Sequence, residues 1–175
     1  MKGSKFATLI TGLMIAIFGF SGLVLAAEPK FAFVDVAKVF DNYQKTKDND
    51  KSLQEKGRSK EEERDALVHE VRQLKDELAL LGEDARAKKQ DDLEGKIRTL
   101  QDFDQKTKQD LGNQRRTVVQ EIFKDIDDTV QRYGERKGLD LVFNERALLF
   151  HSTAYDATED VLKELNKDYL AKKKK

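Results

Sequence analysis

Apolar residues recur at heptad spacing on both sides of one centre between residues 44 and 134. The steps alternate between four and three residues, which keeps the side chains on one narrow face of a helix. No proline interrupts this part of the chain. The apolar seam consists of Leu67, Val71, Leu74, Leu78 and Leu81 on the first side, and of Leu93, Ile97 and Leu100 on the second. The pattern predicts a long antiparallel coiled-coil hairpin, the arm, over residues 44–133.

Residues 82–92 have no apolar period of their own, so we predict the tip of the arm there. A reversal at this point would place Leu81 opposite Leu93 and Leu78 opposite Ile97. A single long dimeric coiled coil without a turn is the alternative interpretation.

The seam thins in the middle of each side of the arm. Residues 54–65 and 104–110 contain no large apolar side chain. Gly57 and Gly112 lie in or beside this zone, and each lowers helix propensity by about 1 kcal/mol relative to Ala. We therefore predict a compliant mid-arm with a hinge at the two glycines. The alternative is that both are neutral exposed positions.

Only the two ends of residues 27–170 have the pattern of a packed core. Residues 31–34, 139–143 and 147–151 are short apolar runs that predict three strands, the last two forming a hairpin. Asp35 is a predicted N-cap and Gly138 a predicted helix stop. The predicted fold class is α+β, predominantly α. Its body is discontinuous, built from residues 27–43 and 134–170, and the arm projects from it.

A body of about 60 residues is marginally stable alone, and its strands would leave open edges. Oligomerisation through the body is the expected remedy. Physical reasoning alone leaves dimer and trimer open.

The first 26 residues have the composition of a secretory signal peptide. Lys2 and Lys5 precede an uncharged stretch that ends in small residues before Ala27. The stretch is long enough to span a bilayer, so an uncleaved anchor is the alternative. The chain has no cysteine and hence no disulfide. We expect an exported protein.

Without residues 1–26, which hold two basic residues and no acidic one, the formal charge is −2. A nucleic-acid binder would carry a basic excess, so we predict no nucleic-acid partner. The lysine-rich tail, residues 171–175, is interpreted as a solvated end. Weak contact with acidic membrane surfaces is the alternative.

Catalytic chemistry has little support in this sequence. His69 and Glu70 are followed by Gln73 where a zinc-protease helix would place its second histidine, and His151 is the only other histidine. No glycine-rich loop follows a strand and opens a helix. We predict a protein that is not an enzyme, with no catalytic, metal-binding or cofactor-binding residues and no cofactor.

Three segments resemble the Skp (OmpH-like) periplasmic chaperone family when taken with the signal peptide and the long arm. The segments run from Phe31 to Phe40, from Tyr133 to Phe143 and from Tyr155 to Lys167. The resemblance covers the whole chain after the signal peptide, and its specificity comes from the order and spacing of the segments.

The resemblance implies a jellyfish-like homotrimer in the periplasm. Three arms would enclose a cavity that holds unfolded outer-membrane β-barrel proteins without ATP and prevents their aggregation. The implied body and trimer contacts are Phe31, Phe33, Val34, Leu139, Leu141, Phe143, Leu148 and Phe150. Val68, Leu80 and Phe103 lie off the seam and are expected to face the client, or else to pack within the arm.

One departure from the family concerns charge. Family members often have strongly basic arms, whereas this chain is slightly acidic, so the resemblance does not carry over long-range electrostatic capture of clients. The main alternative function is an exported structural or adapter protein whose arm docks one partner, with an uncleaved anchor favouring it. Binding to lipid or cell-wall polymers through the tail is the second alternative.

Overall fold

The computed structural model describes residues 28–174, so the predicted signal peptide lies outside the described residues. The elements in chain order are β1 (Phe31–Val34), α1 (Val36–Asn42), α2 (Gln44–Leu80), α3 (Glu83–Lys137), β2 (Leu141–Asn144) and α4 (Thr158–Lys173). Two short 3-10 turns, Glu145–Ala147 and Thr153–Tyr155, lie between β2 and α4. The predicted fold class is confirmed: helices dominate and the sheet is small. Within residues 28–174, no helix is long and apolar enough to cross a membrane.

Helices α2 and α3 form the predicted antiparallel arm, and α2 alone is about 55 Å long at 1.5 Å per residue. The prediction of a tip over residues 82–92 is wrong in extent, because the chain reverses at Leu81 and Gly82 alone. The next residues already belong to α3. Glu83 and Asp84 favour a helix N-terminus, and Ala, Arg and Lys follow them. The missing apolar period therefore marks an exposed helix and not a loop.

The predicted register of the arm is also wrong. Lys89 binds Glu77 at 2.7 Å and Lys96 binds Glu70. Leu93 lies midway between the two lysines, so it is level with the middle of the segment from residue 70 to residue 77. Leu93 is thus opposite the region of Leu74 and not opposite Leu81, and Ile97 is opposite the region of Val71 and not opposite Leu78. The whole seam is shifted by about one heptad.

The body contains a two-stranded parallel sheet. Phe31 pairs with Leu141 and Phe33 pairs with Phe143. On the other edge of β1, the Ala157 N–H donates to the Phe33 carbonyl at 2.9 Å. The outer edge of β2 pairs with no strand among residues 28–174.

The predicted third strand, residues 147–151, and its hairpin are absent from the described chain. The Asn144 side chain accepts a hydrogen bond from the Arg146 N–H at 3.2 Å, and the Leu148 N–H donates to the Glu145 carbonyl at 2.9 Å. These bonds form a 3-10 turn that leads the chain away from β2. The segment that follows then meets no strand edge within its own chain.

The core lies where the arm joins the body. Its buried side chains come from β1, α1, the base of α3 and α4: Ala32, Val34, Val39, Tyr43, Ile122, Ile126, Tyr133, Ala157, Val161 and Leu165. The predicted N-cap is confirmed, since the Asp35 side chain accepts from the Lys38 N–H at 2.9 Å. The predicted helix stop is confirmed as well, because Gly138 ends α3 with φ of 62°, a left-handed conformation that glycine adopts without strain.

Candidate functional site

The predicted seam residues lie along the interface between α2 and α3. Val71 is buried, with 8% of its surface exposed, and the other seven are half-buried. A two-helix seam leaves each apolar side chain open on one flank, so partial burial is the expected state. The seam between residues 67 and 100 is the apolar part of the arm that holds the two helices together.

The apolar pattern of the sequence does not predict the ion pairs across the arm. Arg64 binds Asp104 at 2.9 Å in addition to the two lysine pairs nearer the tip. All three pairs are about half exposed, so each contributes roughly 0–1 kcal/mol. They nevertheless select the register, because only one alignment brings all three pairs together. The bond to Glu77 raises the pKa of Lys89.

A cleft of about 580 Å³ opens between α2 and α3 in the mid-arm, where the seam has thinned. Its α2 wall is entirely polar, whereas Phe103 and Leu111 on the α3 wall are apolar and half-buried. The Lys60 ammonium lies 5.5 Å from the centre of the Phe103 ring, a cation–π contact. The lining residues are Lys56, Ser59, Lys60, Glu63, Phe103, Lys106, Thr107, Asp110, Leu111 and Gln114. The cleft therefore presents an apolar strip on α3 that the opposite helix covers only in part, through Lys60.

The three residues predicted to face a client are not brought together. Phe103 lines the mid-arm cleft, Val68 is half-buried, and Leu80 is 88% exposed beside the tip. They spread apolar surface along the arm and do not form one pocket.

Gly57 and Gly112 lie inside α2 and α3, and neither interrupts its helix. A Cβ atom added at either position would meet no atom within 4 Å. Neither has a positive φ. Packing therefore does not require glycine at these positions.

The outer face of the sheet is apolar and partly uncovered. Because side chains alternate along a strand, Phe31, Phe33, Leu141 and Phe143 share this face. Phe31, Leu141 and Phe143 are 42%, 52% and 38% exposed, whereas Phe33 is buried and lies 4.1 Å from the His151 ring, centre to centre.

The other predicted body residues fall into two groups. Val34 is buried in the core, and Leu139 packs against that core. Leu148 is half-buried, and Phe150 is 87% exposed in the segment after β2. The exposed apolar surface of the body thus lies on the outer sheet face and on this segment.

Within residues 28–174, no three His, Cys, Asp or Glu side chains are grouped as metal ligands. His69 is exposed on α2. His151 is in the body, where its Nε2 lies 3.0 Å from the Glu145 carboxylate. The two histidines lie in different parts of the molecule and form no common site.

The comparison with protein families decides the family of this chain. The family described as "Outer membrane protein (OmpH-like)" matches residues 30–165, which include β1, the whole arm, β2 and the first half of α4.

The chain belongs to the OmpH-like family.

Family membership makes this a periplasmic chaperone in kind. OmpH-like chaperones act by binding client proteins and are generally not enzymes.

A solved structure has the same fold. It is the crystal structure of a candidate outer membrane chaperone (OmpH-like) from Caulobacter crescentus CB15. The match has a TM-score of 0.68 and 17% sequence identity, and it covers 81% of this chain and 86% of the other. No curated protein matches this sequence.

Proposed function

We propose that this OmpH-like protein is an ATP-independent holdase that binds unfolded outer-membrane proteins between its arms in the periplasm and prevents their aggregation. One observation carries the proposal: the arm holds its two helices together by a short seam and leaves apolar side chains uncovered elsewhere along its length. The mid-arm cleft with Phe103 and Leu111 is one of these partly uncovered apolar surfaces.

A holdase must cover apolar client surface with many weak contacts, because one tight site would release its client slowly. The arm suits this task. Its uncovered apolar residues are few and far apart, and charged side chains surround them, as Lys60 and Glu63 do at the cleft. Each contact buries a small apolar area worth about 25 cal/mol per Å² and can be exchanged for another.

A cavity between arms requires more than one copy of the chain. We propose that the body forms a homotrimer through the outer sheet face, the open edge of β2 and the segment with Phe150. An open strand edge beside exposed Leu141 and Phe143 would pair readily with another chain. Pairing with a partner's strand would also give residues 147–151 the extended partner that their own chain does not supply.

The proposed function is tested with the chain from Ala27 onward. A denatured outer-membrane β-barrel protein is diluted out of denaturant without nucleotide, and light scattering is recorded at increasing ratios of this protein to client. We expect scattering to fall and to reach its minimum near one trimer per client. Undiminished scattering at excess trimer would overturn the holdase proposal and favour the adapter.

The contribution of the cleft to client binding is tested with Phe103→Gln. Glutamine is compatible with a helix but lacks the aromatic surface of phenylalanine. Tyr155→Gln is the matched control, because Tyr155 is an exposed aromatic residue of the body, outside the arm. Phe103→Gln should raise the ratio of this protein to client needed for half-maximal suppression about threefold or more, and Tyr155→Gln should leave that ratio unchanged. Equal effects of the two variants would exclude the cleft as a client contact.

We propose that Gly57 and Gly112 make the mid-arm compliant. The double variant Gly57→Ala/Gly112→Ala should stiffen it, since each change favours the helix by about 1 kcal/mol and meets no steric obstacle. Amide hydrogen exchange near both positions should slow about fivefold, and protection of large clients should decline more than that of small ones.

Gly95→Ala is the matched control, because Gly95 also has open space around its Cβ position but lies beside the apolar seam. It should slow exchange locally without changing client-size preference. If the double variant protects large and small clients as the unmodified protein does, the glycines do not set the capacity of the cavity.

A further inference from the structure

The arm is attached to the body differently through its two helices. Helix α3 runs without interruption from the tip into the core, where Ile122 and Ile126 are buried. Helix α2 begins only at Gln44, after Tyr43 has left helical geometry with ψ of 129°. The path from α1 into α2 therefore has a break at the base of the arm, and α3 has none.

The start of α2 depends on α4 for its cap. Tyr43 occupies the N-cap position of α2 and provides no side-chain hydrogen bond there. The Asn166 side chain of α4 accepts the Gln44 N–H instead, at 2.7 Å. A residue more than 120 positions away thus takes the role that a local Ser, Asp or Asn usually has at a helix N-terminus.

Asp48, one turn into α2, accepts hydrogen bonds from three side chains. Its carboxylate accepts from the Gln44 side chain at 2.8 Å, the Tyr169 hydroxyl at 2.9 Å and the Lys173 ammonium at 2.7 Å. The Lys173 hydrogen bond, followed by those from Gln44 and Tyr169, lowers the pKa of Asp48 to about 2. Two of the three donors belong to the last two turns of α4.

Aromatic packing closes the same junction. The Tyr169 ring meets the Tyr43 ring edge-on, with centres 5.7 Å apart, and the Lys173 ammonium lies 5.9 Å from the Tyr169 ring. The C-terminal half of α4 therefore contacts the break before α2 and the first turns after it through Asn166, Tyr169 and Lys173.

We propose that the C-terminal half of α4 is a strap that holds the base of α2 on the body and thereby sets the angle of the arm. With the strap closed, both helices of the arm are fixed at the base. With the strap open, α2 loses its attachment to α4 but keeps its contacts with α3, such as the Lys45 bond to Asp125 at 2.9 Å. The continuous helix α3 is then the main attachment of the arm to the body, and the angle of the arm is less tightly fixed. The strap is a conformational device that adjusts cavity width from the base.

Hydrogen exchange of the full oligomer tests the strap without any client, so its result does not depend on the proposed holdase activity. Asn166→Ala and Tyr169→Phe each remove one hydrogen bond to α2. Amides of residues 45–51 should exchange about fivefold faster in each single variant, and faster again in the double variant.

Tyr133→Phe is the matched control. The Tyr133 hydroxyl also donates to a carboxylate, that of Asp160 at 2.9 Å, but this bond joins α3 to α4 and not α2 to α4. Tyr133→Phe should therefore leave the amide exchange rates of residues 45–51 unchanged. If the double variant stays folded and these amides keep their original rate, or if Tyr133→Phe accelerates them equally, the strap is refuted.

The angle of the arm is measured by spin labels. Because the chain has no cysteine, Lys88→Cys near the tip and Lys163→Cys on α4 place two labels in one chain, which is co-refolded with excess unlabelled chain. The double strap variant should broaden the label distance distribution toward longer separations. A distribution that superimposes on that of the intact strap would show that α4 does not set the angle.

Discussion

Leu141→Glu should convert the proposed trimer into folded monomers. Leu141 is 52% exposed on the outer sheet face, so a carboxylate there is solvated in the single chain. In a trimer, the same carboxylate would be buried among apolar side chains without a partner, which is strongly unfavourable. We expect association to weaken about a hundredfold or more, measured as molar mass by sedimentation velocity, and suppression of client aggregation to be lost with it.

Leu170→Glu is the control for this change. Leu170 is 46% exposed on α4, and a glutamate there introduces the same charge outside the outer sheet face. This variant should keep the mass of the unmodified oligomer. If Leu141→Glu also keeps that mass, then the outer sheet face is not the subunit interface, and another surface must bring the arms together.

The arm shows what heptad spacing predicts and what it leaves open. The spacing correctly predicted a two-helix hairpin because an apolar face must be buried whatever its partner residue. The register was wrong because sliding the seam by one heptad again places apolar residues opposite apolar residues. The pairs formed by Lys89, Lys96 and Arg64 distinguish between such alignments. Individually weak ion pairs thus carry information that the apolar pattern lacks.

The body was predicted less completely, for a different reason. The first two strands formed where local apolar runs met each other, and Asp35 and Gly138 ended the elements as expected. Residues 147–151 have the composition of a strand, yet a strand needs an edge to pair with. The apolar composition of these residues is therefore typical of a strand, but within residues 28–174 their own chain offers them no strand edge to pair with.

The strap could not be predicted from sequence because its residues are more than 120 positions away from the α2 residues that they bind. Asn166, Tyr169 and Lys173 read as ordinary positions of an amphipathic helix. Their role follows from the tertiary placement of α4 across the start of α2. The missing local N-cap before Gln44 is the one sequence feature that points to it, since a helix start without a cap requires a partner from elsewhere.

Three of the four tyrosines join the base of the arm in the same way. The hydroxyls of Tyr43, Tyr133 and Tyr169 each donate to a carboxylate, at 3.1, 2.9 and 2.9 Å. Burial, together with the acceptor carboxylates Asp125, Asp160 and Asp48, raises the pKa of each hydroxyl above its ordinary value. The protonated phenol is therefore favoured by the folded state in all three places.

Alkaline pH should consequently unfold the body. A raised folded-state pKa contributes stability that is complete below the unfolded value of about 10 and is lost as pH rises above it. Each such tyrosine lowers the free energy of unfolding by up to about 1.4 kcal/mol for every pH unit above 10, until the folded hydroxyl itself ionises. Urea denaturation midpoints measured by circular dichroism should be steady from pH 8 to 9 and fall steeply from pH 10 to 11.

Tyr43→Phe separates this effect from general alkaline damage. It removes the most buried of the three hydroxyls, so it should lower the midpoint at pH 8 but make the fall above pH 10 shallower. Part of the fall should remain, because the other two tyrosines act in the same direction. Lys45 does so as well: burial would lower its pKa, but the hydrogen bonds and charges of Asp125 and Glu121 outweigh burial and raise it. Tyr155→Phe is the control, because Tyr155 is 55% exposed, and it should not change the midpoint at pH 8. An equally steep fall in Tyr43→Phe would mean that the Tyr43 phenol does not link stability to pH, and that the junction of arm and body is held chiefly by its apolar core.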